Sequence, residues 1–374
     1  MNTTARNHRI GALAMAATLF LALPAGAVPG ERLEKEEKTA VEAAGKNALT
    51  IKNARGRTVL VGRPDATTVS IVAVKTAAGK DDADAQKMMD KISIEVTEKG
   101  DQIVVETHDG NRYEDWGWSV MSVVKGTRRS AWVDYTIEVP YRFSVTASTT
   151  SGEVRLSNLG GRAEVAATSG DVSVRGVAGG AKATLTSGDL EVTDIGGDLT
   201  VAATSGNVVV DNVRGNLSVD GTSGDFQVSR IEKDLDVDLT SGDFTLEGCS
   251  GNVVFRAASG DARLTEVGGS VDASTSSGDI EVMITPLGER TFSVSTSSGD
   301  IELFYVPVKN YGFKLDVSTA SGSIEAEMPI KVSRVDRRRL QGVVGSGAAQ
   351  IQIETASGDV SIMENSDAAT KPAR

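Results

Sequence analysis

The stretch from Thr186 to Gly215, TSGDLEVTDIGGDLTVAATSGNVVVDNVRG, restarts its own opening phrase partway through. Ser-Gly-Asp leads into Leu190-x-Val192, a Gly196-Gly197 turn follows, Leu199-x-Val201 comes next, and Ser205-Gly206 begins the phrase again. Working outward, Ser-Gly pairs start at Ser151, Ser169, Ser187, Ser205, Ser223, Ser241, Ser259 and Ser277, each 18 residues after the last. Later pairs at Ser298, Ser321 and Ser357 come at intervals of 21, 23 and 36, so insertions enter only towards the C-terminus. Seven equal intervals identify a repeat protein.

Within each unit, Val154, Val172, Leu190, Val208, Phe226, Phe244, Ala262 and Ile280 form one apolar column. Leu156, Val174, Val192, Val210, Val228, Leu246, Leu264 and Val282 form a second column two places on. Apolar positions separated by one polar residue mark a strand with one buried face. Nine residues further on, Leu199, Leu217, Leu235, Val253 and Val271 begin another such pair, with Val201, Val219, Val237 and Phe255 as its partner column. Glycine pairs such as Gly160-Gly161 and Gly268-Gly269 separate the halves. Each unit therefore reads as strand, turn, strand, turn.

A unit this small cannot bury its apolar side alone, so neighbours must stack on it. Stacking puts equal positions roughly 4.8 Å apart in parallel sheets, and seven steps give a rod of roughly 34 Å. The fold class expected is all-β, a parallel β-solenoid (β-helix) with 18-residue rungs of two short strands. A left-handed three-sided helix needs an apolar signal every six residues. Here it recurs at nine, which favours a right-handed or flattened two-sheet solenoid, although the columns alone do not decide the hand.

The ends are less regular. Arg6 and Arg9, the apolar run Ile10–Leu23, Pro24 and Ala25-Gly26-Ala27 make residues 1–27 a signal peptide, too short in its apolar part for a membrane span. The mature chain is then expected to begin near Val28, with no transmembrane segment and no lipidated cysteine at the cleavage site. Residues 28–150 read as irregular opening rungs, continuous with the regular solenoid of 151–362 in one domain. ALTIKNARGRTVLVGRPDATTVSIVAVKT supplies three strands, and DDADAQKMMDKI supplies a short helix that Asp81 or Asp82 caps. The helix and loops are expected to cover the open end of the stack. Residues 363–374 form a polar, disordered tail.

The opening LTIKNARGRTVLVG, the short helix, YTIEVP and the train of SGDV-like rungs together resemble the bacterial "putative adhesin" family, a domain of unknown function built from β-strand repeats. The resemblance spans about Leu49 to Met363. It implies a β-helical protein that is exported or associated with the cell envelope, and it carries no catalytic residues.

Charge and composition exclude several functions. The full chain carries −12, and losing Arg6 and Arg9 leaves the mature chain at −14, which argues against nucleic acid as a partner. Cys249 is the sole cysteine, so no internal disulfide forms, and its position in an apolar column makes it a small buried hydrophobe rather than a nucleophile. The mature chain has one histidine, His108, and no phosphate loop or HExxH string, so neither a Ser-His-Asp triad nor a zinc site is expected without it. Carboxylate-only glycoside chemistry is the rival reading, but the tight turns leave little room for a groove.

Four features could still carry function. Glu153, Asp171, Asp189, Asn207, Asp225, Asp243, Asp261 and Asp279 form an acidic file at the Ser-Gly corner, continued by Asp300 and Asp359. Adjacent carboxylates about 5 Å apart repel by roughly 1 kcal/mol in water and about 3 kcal/mol at an effective dielectric of 20. Calcium would offset this, but one carboxylate per rung is thin supply for six to eight oxygens. Turn amides donating to each Asp are the simpler answer, so no metal or cofactor is expected. Thr168, Thr186, Thr204, Thr222 and Thr240 make a single hydroxyl file. One such column suits bracing of the turns and is not enough for an ice-binding plane.

Two segments stand out, the aromatic one with Trp116, Trp118, Trp132, Tyr113 and Tyr135 and the arginines of SRVDRRRLQG (Arg334, Arg337, Arg338 and Arg339). Trp116, Trp118, Arg337 and Arg338 are the candidate contact residues, beside the plainer readings that the tryptophans cap the core end and the arginines lie in a solvated loop. The expected function is an exported, non-catalytic scaffold or binding module at the cell surface or in the periplasm. Its partner would be an envelope protein or glycan. A carbohydrate-active enzyme and an envelope-stress component are the alternatives.

Overall fold

The computed structural model describes residues 32–108 and 130–365. Apart from one short helix, its regular structure consists of two long sheets of 15 and 16 strands. In each repeat, one half of the unit adds a strand to the first sheet and the other half adds one to the second. Val172–Val177 pairs in parallel with Leu190–Ile195, and Ala181–Ser187 with Leu199–Ser205. The register is the 18-residue offset itself: Val210 lies between Val192 and Val228. The parallel β-solenoid expected from the spacing is the fold.

One rung buries Val154, Leu156 and Leu159 on the first sheet, then Ala163, Val165 and Ala167 on the second. The step from 156 to 159 breaks the period of two. Asn158 makes the break, with φ at 57°, and Asp194 and Asn212 do the same at 60° and 62°. A single left-handed residue bends the strand and turns the next apolar side chain inward. Cys249 occupies this bent column and is 2% exposed. Phe226, Phe244 and Phe255 are buried in the middle of the stack, with the Phe244 and Phe255 rings stacked at 5.2 Å.

Glycine is required at the Ser-Gly corner because successive corners stack backbone on backbone. Gly206 has φ at 114°, and a Cβ there would sit 2.0 Å from the carbonyl oxygen of Gly188. Arg55 pairs with Ser151, so Gly56 belongs to the same ladder even though no serine precedes it.

The chain opens with β1 (Arg32–Glu42), β2 (Ala48–Arg55), β3 (Thr58–Arg63), β4 (Thr68–Ala78) and α1 (Asp82–Met89). β5 (Ser93–Lys99), β6 (Gln102–His108), β7 (Ser130–Pro140), β8 (Ser144–Ser151) and β9 (Val154–Leu159) follow. The three strands and the helix read from the sequence are present, and Asp81 caps α1 by accepting the Asp84 N–H at 2.8 Å. β1 is an additional strand. Its sequence, RLEKEEKTAVE, carries charges on both faces, which suits an outermost strand that must not pair further.

Chain order and stacking order differ at both ends. The β2–β3 layer lies directly against β8–β9, and the later β6–β7 layer lies outside it. Beyond that, β4 adds antiparallel to β7 and β1 antiparallel to β4, while β5 adds antiparallel to β6. Met88, Met89 and Ile92 cover the core end. At the other end, Phe313–Ser321 and Ile324–Glu327 form the last layer with a strand in both sheets, and Arg339–Val344 and Lys331–Asp336 extend the second sheet beyond it. The last strands in sequence, Ala349–Ser357 and Val360–Glu364, slot in beneath it. The corner serines therefore stack in the order Ser298, Ser357, Ser321. The boundary drawn at 362 falls inside the final strand, whose Glu364 accepts the Tyr305 hydroxyl at 2.9 Å. Among the described residues, no helix is long and apolar enough to cross a membrane.

Candidate binding furrow

The acidic file is a ladder of hydrogen bonds. Most members accept the backbone N–H of the residue one rung on: Asp189 N–H to Asp171 Oδ1 at 3.1 Å, Asn207 to Asp189 at 2.9 Å, Asp261 to Asp243 at 3.0 Å and Asp279 to Asp261 at 2.8 Å. It continues through the reordered end, where Asp300 donates to Asp279, Asp359 to Asp300 and Ser323 to Asp359, each at 2.7 Å. Turn amides thus supply the compensation that like charges at this spacing require. At Asp359 the backbone N–H and then the hydroxyl of Ser323 hold the carboxyl below its ordinary value. Among the described residues, no group of three or more His, Cys, Asp or Glu is placed to share a metal ion.

A second acceptor ladder runs at the opposite corner, and the sequence reading missed it. Asn216 N–H donates to Asp198 Oδ1 at 2.8 Å, Asn252 to Asp234 at 2.8 Å and Ser270 to Asn252 at 3.0 Å. The signal was available as Asp198, Asn216, Asp234, Asn252 and Ser270 at the same 18-residue spacing.

Beside the first ladder lies an open furrow of about 940 Å³ on the outer face of the first sheet. Its acidic rim is Glu153, Asp171, Asp189, Asn207 and Asp225, and its floor includes Ser173, Val209 and Gln227. Arg155 and Arg175 stand over it, paired with Glu153 and Glu191. The tight turns were expected to leave little room for a groove. The room comes from the outer face, where Ser157, Ser173 and Val209 leave space between the longer Arg155, Arg175, Glu191 and Gln227 of the same and neighbouring rungs. A shallower furrow of about 630 Å³ on the second sheet is lined by Thr186, Thr204, Thr222 and Thr240, with Asp220, Asp238 and Arg256. The column beside these threonines reads Ala166, Thr184, Ala202, Asp220, Asp238 and Arg256, so no flat threonine plane forms. The hydroxyls that brace the corner belong to a different column: Thr296 Oγ1 donates to the Gly278 carbonyl and Thr355 Oγ1 to that of Gly299, both at 3.3 Å.

The other candidates are scattered. Trp116, Trp118 and Tyr113 lie outside the described residues. Trp132 is on the outward side of β7, where its indole N–H donates to Asp134 at 3.2 Å and the Arg32 guanidinium lies 5.2 Å from the ring centre. Tyr135 points into the core, with its hydroxyl 2.7 Å from Thr107 Oγ1. Burial, more than the opposing Thr107 hydrogen bond, pushes its pKa up to about 12. Arg337 and Arg338 are exposed at the tip of a hairpin at the opposite end of the rod. Arg334 and Arg339 are committed to Asp336 at 3.4 Å and Asp316 at 2.9 Å. His108 is at the surface, 3.3 Å from Glu95. Trp132 and the arginine loop therefore do not form one site.

The model of the family described as Toastrack DUF4097 matches residues 33–250 and again 197–363. No curated protein matches the chain. Among solved structures, a "putative cell adhesion protein" from Clostridium sporogenes is 10% identical, with 89% of this chain and 100% of that one covered and a TM-score of 0.21. A "putative adhesin" from Bacteroides fragilis is 11% identical, with 88% and 97% covered and a TM-score of 0.25. A "putative lipid binding protein" from Parabacteroides distasonis is 13% identical, with 88% and 96% covered and a TM-score of 0.29.

Proposed function

The chain belongs to the Toastrack DUF4097 family, and from that premise and the furrow we propose that it is an exported, non-catalytic binding module that holds an extended neutral or amino-sugar glycan along the outside of its solenoid. The observation that carries this reading is the furrow's periodicity: one acid or amide acceptor per rung along five consecutive rungs. Rungs repeat at about 4.8 Å, while an extended peptide advances roughly 3.3 Å per residue, so successive residues do not meet successive rungs. A pyranose ring spans close to one rung, so a linear glycan presents equivalent hydroxyls to equivalent carboxylates. Carboxylates accept from hydroxyl and ammonium groups, and an acidic rim repels acidic polymers.

Binding rather than turnover follows from how the acids are held. Glycoside cleavage needs two carboxyl groups in different environments, one kept protonated as an acid. Here the rim acids occupy repeating environments, most accepting an N–H from the next rung. Export rests on residues 1–27, and the cell surface or periplasm is the compartment proposed.

A glycan array followed by calorimetry tests the reading. A neutral or aminated linear glycan should bind, and Arg175→Ala together with Asp189→Ala should weaken it about tenfold or more, roughly 1.4 kcal/mol. Binding that is indifferent to those substitutions, or release of new reducing ends from a bound glycan, overturns it.

A further inference from the structure

The two ends of the rod are finished differently. At the N-terminal end β4 of the first sheet is matched by β5 of the second, so the first sheet overhangs by β1 alone, and α1 packs against β4 and β1. At the C-terminal end the second sheet overhangs by the antiparallel hairpin of Lys331–Asp336 and Arg339–Val344, while the first sheet stops at Ile324–Glu327. The result is a step two strands deep, about 10 Å, and no described residue roofs it.

The inner side of this step is apolar and unpartnered. A register shift between Val332 and Arg334 places Val332 opposite Gly342 and Val335 opposite Leu340, so both valines share the core-facing side with buried Leu340. They are nevertheless 48% and 69% exposed, because the core ends beneath them. Ile324, Ala326, Met328 and Ile330 continue the surface, half-buried. On the outer side, the edge strand of the second sheet carries Lys331 and Arg334, and the edge strand of the first carries Glu325 and Glu327.

We infer that the C-terminal step is a homodimer interface, in which a second copy, inverted about a two-fold axis across the rod, fills the step with its own hairpin. The depth fits: each copy lacks two strands on one sheet and offers two surplus strands on the other. Each copy's 331–336 strand then continues the partner's first sheet past the partner's 324–327 strand. Inner faces meet as Val332 and Val335 against Ile324 and Ala326, and outer faces as Lys331 and Arg334 against Glu325 and Glu327. The two-fold axis makes every contact twice. An anionic lipid surface suits the arginines but is repelled by Glu325 and Glu327 at the same end, which is why a second copy is the occupant assigned.

The test is the mass in solution of the protein purified after expression of the full chain, by light scattering and sedimentation at micromolar concentration. Wild type should be a dimer. E325K/E327K and K331E/R334E should each dissociate, with a dissociation constant about a hundredfold higher, because two like-charge contacts are created at both symmetry-related sites. Mixing the two dissociated variants should restore a dimer, since each then meets opposite charge at both contacts. A monomeric wild type overturns the inference, as do variants that stay dimeric or a mixture that stays monomeric. A monomer that sediments with anionic vesicles and loses this in K331E/R334E assigns the step to lipid instead. Dimerisation only after removal of residues 366–374 assigns it to the chain's own end.

Discussion

The sharpest test of the stacked corner is Gly206→Ala. At φ 114° an alanine sits outside the regions open to side chains, at a cost of about 1–3 kcal/mol. Its Cβ would also stand 2.0 Å from the Gly188 carbonyl oxygen, against an ordinary carbon–oxygen approach of about 3.3 Å. The corner must therefore open by more than an ångström. That strains the bonds flanking it, Asn207 N–H to Asp189 at 2.9 Å and Leu190 N–H to the Asn207 carbonyl at 2.9 Å. At about 1 kcal/mol each, these bring the expected loss to about 3–5 kcal/mol. Gly100→Ala is the control. Its φ of 63° is also left-handed, but nothing lies within 4 Å of the added methyl, so it should lose only about 1–2 kcal/mol. Urea unfolding followed by far-UV circular dichroism, at unchanged m-value, measures both. Equal midpoints for the two variants would refute the argument, because backbone strain alone would then account for the glycine.

Val210→Asp should cost several kcal/mol by burying a carboxylate among apolar side chains, whereas Val209→Asp, at a site 41% exposed, should be nearly silent in the same unfolding assay. The Cys249 thiol, pushed up to about 11 by burial first and by Asp234 in addition, with a backbone hydrogen bond of Gly251 opposing, should not react with a disulfide reagent at pH 8 until the solenoid opens. Rapid labelling of the folded protein would contradict its place in the core. At Asp316, burial raises the carboxyl's pKa, but hydrogen bonds from Arg339 and Gln341 and the charges of Arg339 and Arg334 outweigh it, leaving the pKa below the ordinary 3.8. The stability advantage over Asp316→Asn should therefore be fully present above pH 4 and shrink as pH falls further; an advantage that grows on acidification reverses the sign and the argument. Hydrogen exchange should be slower in Ala349–Ser357 than in Lys331–Asp336, although the former lies nearer the chain end. Protection declining steadily towards the C-terminus would contradict the stacking order.

Much of this structure was legible in the sequence because a solenoid writes its contacts as a period. Val192, Val210 and Val228 touch in space at the interval at which they recur, so a column of letters is already a column of side chains. The acid ladder was legible for the same reason, down to the turn amides that answer its charge. What escaped was whatever breaks the period or is built from more than one rung. Gly56 follows arginine instead of serine, and Asn158 bends its strand through a conformation that Arg230 and Glu266 also adopt elsewhere, so no single residue type marks it. The furrow depends on side-chain length across five neighbouring rungs, which no single unit displays.

The reordered ends follow from what a stack does to its last layer. An interior rung has neighbours above and below, while an outermost rung has one, so strands at a chain end that also lie at the stack's end would open most readily. Here the last strands in sequence, with Ile351, Ile353, Val360 and Ile362 buried, are held between two layers. The last layer with a strand in both sheets, Phe313–Ser321 with Ile324–Glu327, carries the hairpin of Lys331–Asp336 and Arg339–Val344 on its outer side in the second sheet. The same exchange puts β2–β3 inside β6–β7 at the N-terminus. No local pattern encodes either exchange, because the displaced strands alternate like any other and Ser321 and Ser357 carry the same corner. Opening either end therefore means releasing a layer whose removal exposes a second, out-of-sequence layer beneath it. That raises the smallest opening from one rung to a unit of two, and it protects the core at the N-terminal end, which α1 covers, and at the C-terminal end, where the step leaves it bare.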